Sequence, residues 1–363
     1  MNDCLIVGAG LIGMLTAREL RAAGLSVTLV ERGASGREAS WAGGGILSPL
    51  YPWRYPDPVS ALARWSQRHY PQLLAETHAL SGIDPELEPS GLLILDDGER
   101  DAALAWAARF EVSLQEADAR AQRELEPALG ATTAQACWLP EVGQVRNPRL
   151  VKALRVALER DGVKFCEQTP VHGFETAAGR VTGVVTAAGR LTAAHIVVAG
   201  GAWSGELLRS TGLDLPVIPV RGQMILFRAR PGQVRRIVLD AGRYVIPRRD
   251  GRILVGSTLE HVGFDKTTTE TARDDLRAEA VRLIPALADC ELEHHWAGLR
   301  PGSPIGVPCI ARHPDLANLY INAGHYRNGV VLGPASARLL ADLLLGRAAT
   351  FDPADYSTEK IGG

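Results

Sequence analysis

The chain has 363 residues, 46% of them hydrophobic and 22% charged, with a net charge of −2. That length buries a substantial core and fits two domains or one large one. A near-neutral balance argues against a nucleic-acid or anionic-membrane partner, and no apolar run nears the roughly 20 residues a bilayer span needs.

The N-terminal unit reads strand, turn, helix, strand. Leu5-Ile6-Val7 is a short buried strand running into Gly8-Ala9-Gly10-Leu11-Ile12-Gly13. Helix formers fill 11–23, Gly24 stops them, and 26–30 forms a second strand closing on Glu31, so a parallel βαβ unit is expected. No basic region precedes the first apolar run, so no export signal is expected and the cytoplasm is the default compartment. Gly43-Gly44-Gly45-Ile46-Leu47 is a glycine-rich turn. A helix follows, with Asp57 as its cap and Pro58 at its first position, and Pro71 is expected to kink or split it.

Residues 92–95 read as a strand, 101–110 and 117–129 as helices. A helix over 148–160 ends at Gly162 and returns to a strand at 163–166, and alternating segments around Gly179 and Gly189 read as a meander. A buried strand over 191–198 ends at Ala199-Gly200-Gly201-Ala202-Trp203. Residues 217–228, 243–247 and 253–257 read as strands of a second sheet, and 271–287 as a helix. Trp296-Ala297-Gly298-Leu299-Arg300-Pro301-Gly302 reads as a glycine-rich turn. A last strand, 319–322, meets Gly324-His325-Tyr326-Arg327-Asn328-Gly329, and Pro334 opens the closing helix through Leu345.

The expected fold is α/β (α+β overall): a Rossmann-like dinucleotide domain interleaved with a mixed, largely antiparallel-sheet domain. The nucleotide domain takes 1–50, 146–215 and 296–363, and the substrate domain takes 51–145 and 216–295. The five cysteines, Cys4, Cys137, Cys166, Cys290 and Cys309, are scattered without a CxxC pair, so neither disulfides nor a zinc site is expected. His294-His295 has no third ligand at metal spacing, and no metal is expected.

Gly8 permits the tight turn, Gly10 admits the pyrophosphate, Gly13 lets helix and strand approach, and Glu31 would accept from the adenosine ribose hydroxyls. GxGxxG alone is weak; strand, turn, helix, strand and terminal acid in register favour a dinucleotide. Three distant segments favour FAD over NAD: Gly43-Gly44-Gly45, Val198-Ala199-Gly200-Gly201, and the turn from Gly324 to Gly329 with the helix behind it. That helix end could stabilise negative charge on a reduced flavin. Two arginines in glycine-rich surroundings, Arg300 and Arg327, offer fixed cations to a small anionic substrate.

These motifs, with Pro219-Val220-Arg221-Gly222-Gln223, Tyr244-Val245-Ile246-Pro247-Arg248 and Gly251-Arg252-Ile253-Leu254-Val255-Gly256-Ser257-Thr258, resemble the D-amino-acid oxidase family of flavoproteins over nearly the whole chain, most closely its bacterial glycine oxidase branch. The resemblance implies a glutathione-reductase type of FAD-binding fold. It implies that Arg300 clamps the substrate carboxylate, Tyr244 hydrogen-bonds it, and Arg327 lies over the substrate near the flavin. Cofactor contacts would fall on Leu11-Ile12, Glu31-Arg32, Ala39-Ser40, Gly44-Gly45-Ile46, Val171 and the run His325-Tyr326-Arg327-Asn328-Gly329-Val330-Val331. Ile46 and Leu259 stand where relatives carry methionine, and Arg243 where a neutral residue is usual, which bears on substrate range. A homotetramer and a link to thiamine biosynthesis are also implied.

The expected reaction takes hydride from the Cα of glycine or a small D-amino acid, with sarcosine as a further candidate, to flavin N5, giving 2-oxo acid, ammonia and, with O2 as acceptor, hydrogen peroxide. Cys309 reads as a small buried thiol, so the FAD would be non-covalent. The competing readings are a dehydrogenase with a non-oxygen acceptor, a sarcosine or amine oxidase, a tRNA-modifying oxidase, and a non-catalytic FAD subunit. A net charge of −2 speaks against the tRNA reading, and a carboxylate clamp against the last.

Overall fold

The first apolar run becomes strand Asn2–Val7, whose last four residues are buried. A run apolar on both faces needs cover on both, which a parallel sheet between helices provides. It pairs in parallel with Val27–Val30 on one side and Ala193–Val198 on the other. The computed structural model, which describes residues 2–96 and 98–362, orders this six-stranded sheet 309–312, 319–323, 193–198, 2–7, 27–30, 164–166. Helices Leu11–Ala22, Asn147–Arg160 and Gly329–Leu345 bury Met14, Leu15, Leu150, Leu154, Leu339 and Leu340 in one core with Ile6 and Leu29.

The second sheet has eight strands in the order 291–302, 218–228, 252–256, 243–247, 237–240, 92–94, 135–139, 115–118. It is antiparallel except where Ile237–Asp240 runs parallel to Leu92–Ile94. Helix Glu270–Leu283 covers one face, seating Leu276, Ala280 and Leu283 on Phe227, Val245 and Val255. On the other face Met224, Tyr244, Ile246 and Leu254 gather, toward the nucleotide sheet. The meander is present as Val171–Ala177, Arg180–Thr186 and Gly189–Leu191.

Four elements depart from expectation. Trp296–Gly302 is the end of a strand, Glu291–Gly302, rather than a turn, and Gly298 faces Gly222 in antiparallel register. Glycine is there for close approach: a Cβ on Gly298 would lie 2.5 Å from Ala42 Cβ. The closing helix starts at Gly329, with Pro334 inside it. Pro334 has no N–H for the Val330 carbonyl, and the Tyr70 hydroxyl donates to that carbonyl instead; the next amide, Ala335 N, donates to Ser66 Oγ at 3.0 Å.

Helix Asp57–Ser81 is capped at Pro56 and runs unbroken through Pro71. Pro71 is exposed, so water can satisfy the Gln67 carbonyl it leaves free. The stretch 117–129 divides into strand Gln115–Asp118 and helix Ala119–Leu125. Asp118 makes the break, because its carboxylate accepts from Ala121 N at 2.8 Å and caps a new helix.

Candidate active site

Gly8 holds φ +110°, and a Cβ there would stand 2.3 Å from the Ala199 carbonyl oxygen of the neighbouring strand exit. A Cβ on Gly13 would stand 1.9 Å from Gly8 O. The turn is therefore pressed between helix and sheet, and only glycine allows that separation. Gly10 caps helix Leu11–Ala22 through extended backbone without a side-chain bond, and Leu11 N donates to Ser40 Oγ at 2.8 Å. The positive end of that helix, with the amides left free of Ser40, faces a cavity lined by Gly10, Leu11 and Ile12. Glu31 lies just past strand Val27–Val30, accepting from Ala9 N at 2.9 Å and Gly33 N at 3.2 Å.

A cavity of about 530 Å³ runs from this turn to the second sheet. It is lined in sequence by Gly8, Gly10, Leu11 and Ile12, by Glu31-Arg32, Ala39-Ser40, Gly44-Gly45-Ile46, Val171 and Gly200, and it ends at Tyr244, Arg300 and His325-Tyr326-Arg327. Gly329 and Val330 also line it. Of the sequence-derived site residues, Gly13, Asn328 and Val331 do not. Gly13 is buried in the first turn of the helix against Gly8 O, Asn328 is buried, and Val331 belongs to the nucleotide-domain core.

Sequence reading missed Trp203, Gly222, Met224 and Ser257, which also line the cavity. Alternation on strand Ile218–Arg228 was the available signal for Gly222 and Met224, two residues apart on one face. Trp203 is covered by the Arg32 guanidinium, 3.4 Å from its ring centroid, and Arg32 also pairs with Glu38 at 2.8 Å.

At the far end Arg300 is held by neutral oxygens. Nη1 donates to Thr258 O at 3.1 Å and to Arg221 O at 3.4 Å, and Nη2 donates to Ser257 Oγ at 2.6 Å. Gly222 leaves room for the guanidinium, since a Cβ there would lie 2.2 Å from both terminal nitrogens. The charged and phenolic groups facing Arg300 are Tyr244, Arg327 and Tyr326, and burial is the first cause that pushes its pKa down. Among the described residues no carboxylate pairs with Arg300 or Arg327.

Tyr244 is buried, its hydroxyl 3.9 Å from Met224 Sδ. Arg327 sits on the turn between strand Leu319–Ala323 and helix Gly329–Leu345. That turn is tied to the Arg300 strand by Tyr326 N donating to Pro301 O at 2.9 Å, with Tyr326 in the left-handed region at φ +46°. A tyrosine there is unfavourable without tertiary support. His325 is buried with no partner at Nε2 among the described residues, and burial pushes its pKa down to about 3. Cys309 is buried in a strand, and burial pushes its thiol up to about 12; a protonated thiol is a poor nucleophile.

A family model described as DAO, FAD dependent oxidoreductase, matches residues 3–343. A glycine oxidase of Pseudomonas aeruginosa is 53% identical over 353 residues, covering 97% of each chain. One from Pseudomonas putida is 51% identical over 359 residues, covering 99% of this chain and 98% of its own. The crystal structure of glycine oxidase from Geobacillus kaustophilus superposes with a TM-score of 0.94 at 31% identity, over 98% of each chain.

Proposed function

The chain belongs to the FAD dependent oxidoreductase family, and we propose that it oxidises glycine, sarcosine and small D-amino acids at Cα. Water and O2 are consumed, and the 2-oxo acid, the amine and hydrogen peroxide are released. The observation that carries this reading is Arg300, a half-buried guanidinium bonded only to neutral oxygens of the described residues at the end of a dinucleotide-sized cavity. A partly desolvated cation without a counter-ion is unfavourable, and a ligand carboxylate would supply one.

The cavity fits FAD on its own geometry. The glycine turn at one end offers helix amides, and Glu31 stands where a ribose would reach it. At the other end, helix Gly329–Leu345 begins without a side-chain cap or an acidic first turn, beside the unpartnered His325 Nε2. Bound there, FAD supplies the two-electron acceptor. The residues proposed to hold it are Gly8, Gly10, Leu11, Ile12, Glu31, Arg32, Ala39, Ser40, Gly44, Gly45, Ile46, Val171, Gly200, His325, Tyr326, Arg327, Gly329 and Val330, with Gly13, Asn328 and Val331 supporting them from outside the lining.

The protein's contribution to the chemistry is placement. Three guanidinium N–H groups of Arg300 are held by the protein, and the planar fork keeps the rest for a carboxylate. Tyr244 adds a neutral donor to the same carboxylate, and Arg327 closes the substrate end. Met224 and the Tyr244 ring exclude water from one wall. With the amine bound neutral, no side-chain base is required.

The proposed division is 1–50, 146–215 and 296–363 for FAD, and 51–145 and 216–295 for substrate. The two main sheets support it, although strand Glu291–Gly302 crosses the border at 296. No helix among the described residues is long and apolar enough to cross a membrane. We place the enzyme in the cytoplasm, supported by five free cysteines, and as a homo-oligomer, for which exposed Leu259, Val262 and Phe264 are apolar surface to cover. The test is FAD-loaded protein with glycine in air: glyoxylate and peroxide should appear in equal amounts. Dye reduction without peroxide would remove O2 as acceptor, and no turnover of any amino acid would overturn the reading.

A further inference from the structure

Arg248 follows the strand Arg243–Pro247, which carries Tyr244, and takes no part in the placement just described. Its guanidinium is buried and meets three neutral acceptors on two other segments. Nη1 donates to Gln144 Oε1 at 2.6 Å and to Val145 O at 3.0 Å, and Nη2 donates to Gly44 O at 2.8 Å. Burial, then repulsion from Arg146, pushes its pKa down to about 10. Its acceptors are themselves oriented: Gln144 Nε2 donates to Pro247 O at 2.8 Å and to Ser90 Oγ at 3.1 Å, which turns the amide oxygen toward Arg248.

The turn it grips is the Gly43–Ile46 wall of the cavity. Val145 N donates to Gly45 O at 2.9 Å, and a Cβ on Gly45 would fall 2.0 Å from Val145 O. On the opposite side a Cβ on Gly44 would fall 2.8 Å from Ile246 Cδ1 and 3.4 Å from the Tyr244 ring. One fork thus ties three things together: the turn that lines the cofactor cavity, the segment at 144–145, and the strand that presents Tyr244. A merely structural cross-link could be neutral and apolar at lower desolvation cost. A planar cation with several fixed donors instead specifies the orientation of the Gly44 peptide.

We propose that Arg248 is a positioning residue, setting the Gly44 peptide and, through it, the register between the cofactor wall and Tyr244. The inference rests on the cavity being the FAD site. Its test uses Arg248→Lys, which keeps the charge but not the fork, and Gln144→Met, which removes one acceptor. Each is compared with wild type well below its unfolding temperature. In Arg248→Lys the Kd for FAD should rise at least tenfold and the visible circular dichroism of bound FAD should change. At saturating FAD, kcat should fall at least tenfold, while KM for glycine, to which Tyr244 contributes one hydrogen bond beside the fork of Arg300, rises by less than that. Gln144→Met should move the same readouts less.

A structural role would lower Tm and leave those readouts at wild-type values, and that result from either folded variant would overturn the proposal. Should Arg248→Lys fail to fold, Gln144→Met decides alone. Wild-type protein that takes up no FAD would overturn the reading of the cavity as well, which separates the two failures.

Discussion

Replacing Arg300 with Met should separate function from stability. The guanidinium is half-buried, bonded to Arg221 O, Thr258 O and Ser257 Oγ, and faces Arg327 rather than a carboxylate. Two charge-assisted hydrogen bonds to a substrate carboxylate contribute roughly 1.5–3 kcal/mol each, so their loss lowers kcat/KM by roughly 10²–10⁴-fold. Stability has opposing terms. Three bonds to neutral acceptors are lost, at about 1 kcal/mol net each. Relief from burying an unpaired charge offsets them by a few kcal/mol. The account therefore predicts a Tm within about 5 °C of wild type, full retention of FAD, and a collapse in steady-state kcat/KM for glycine. A Tm drop beyond about 10 °C with KM unchanged would show Arg300 to be a scaffold residue and refute the reasoning.

The glycine turn gives a paired test. Gly13→Ala drives a methyl to 1.9 Å from Gly8 O and should destabilise by about 1–3 kcal/mol. Gly10→Ala meets only Ser40 Oγ at 3.1 Å, so it should leave apoprotein melting near wild type while still weakening FAD binding; equal melting losses in both would contradict this. His325 sets an acid limit. Its folded pKa is lowered to about 3, so below about pH 6.5 the unfolded chain binds the extra proton. Stability is thus complete above the unfolded pKa and falls as pH drops toward 3, by up to about 1.4 kcal/mol per pH unit. Urea midpoints at pH 7 and 5 should differ less in His325→Gln than in wild type, and an unchanged difference would remove His325 as the source.

What could be read from residues alone was the local and the near-periodic. The turn from Gly8 to Gly13 with Glu31 is one βαβ unit, and its strands, helix and close approaches follow from neighbouring residues. The segment around Arg300 misled because Gly298, Pro301 and Gly302 look like turn residues, whereas the glycines there make space for Ala42 and for the Gly222 strand. Pro334 misled in the same way. Its place inside a helix depends on Tyr70 and Ser66 from a helix distant in the chain. Short strands such as Ile237–Asp240 and Cys309–Arg312 carry too few residues for a period. That Tyr244, Arg300 and Arg327 meet in one cavity is a tertiary fact, which only the family resemblance could anticipate.

The central claim is that Arg300 presents an amino acid to FAD held in this cavity. Its most direct measurement is anaerobic addition of glycine to the FAD-loaded protein while the visible flavin absorption is followed. The account predicts bleaching that saturates with glycine in the wild type and requires far higher concentrations in Arg300→Met. Absorption that stays constant in the wild type, with glycine, sarcosine and D-alanine alike, would contradict it.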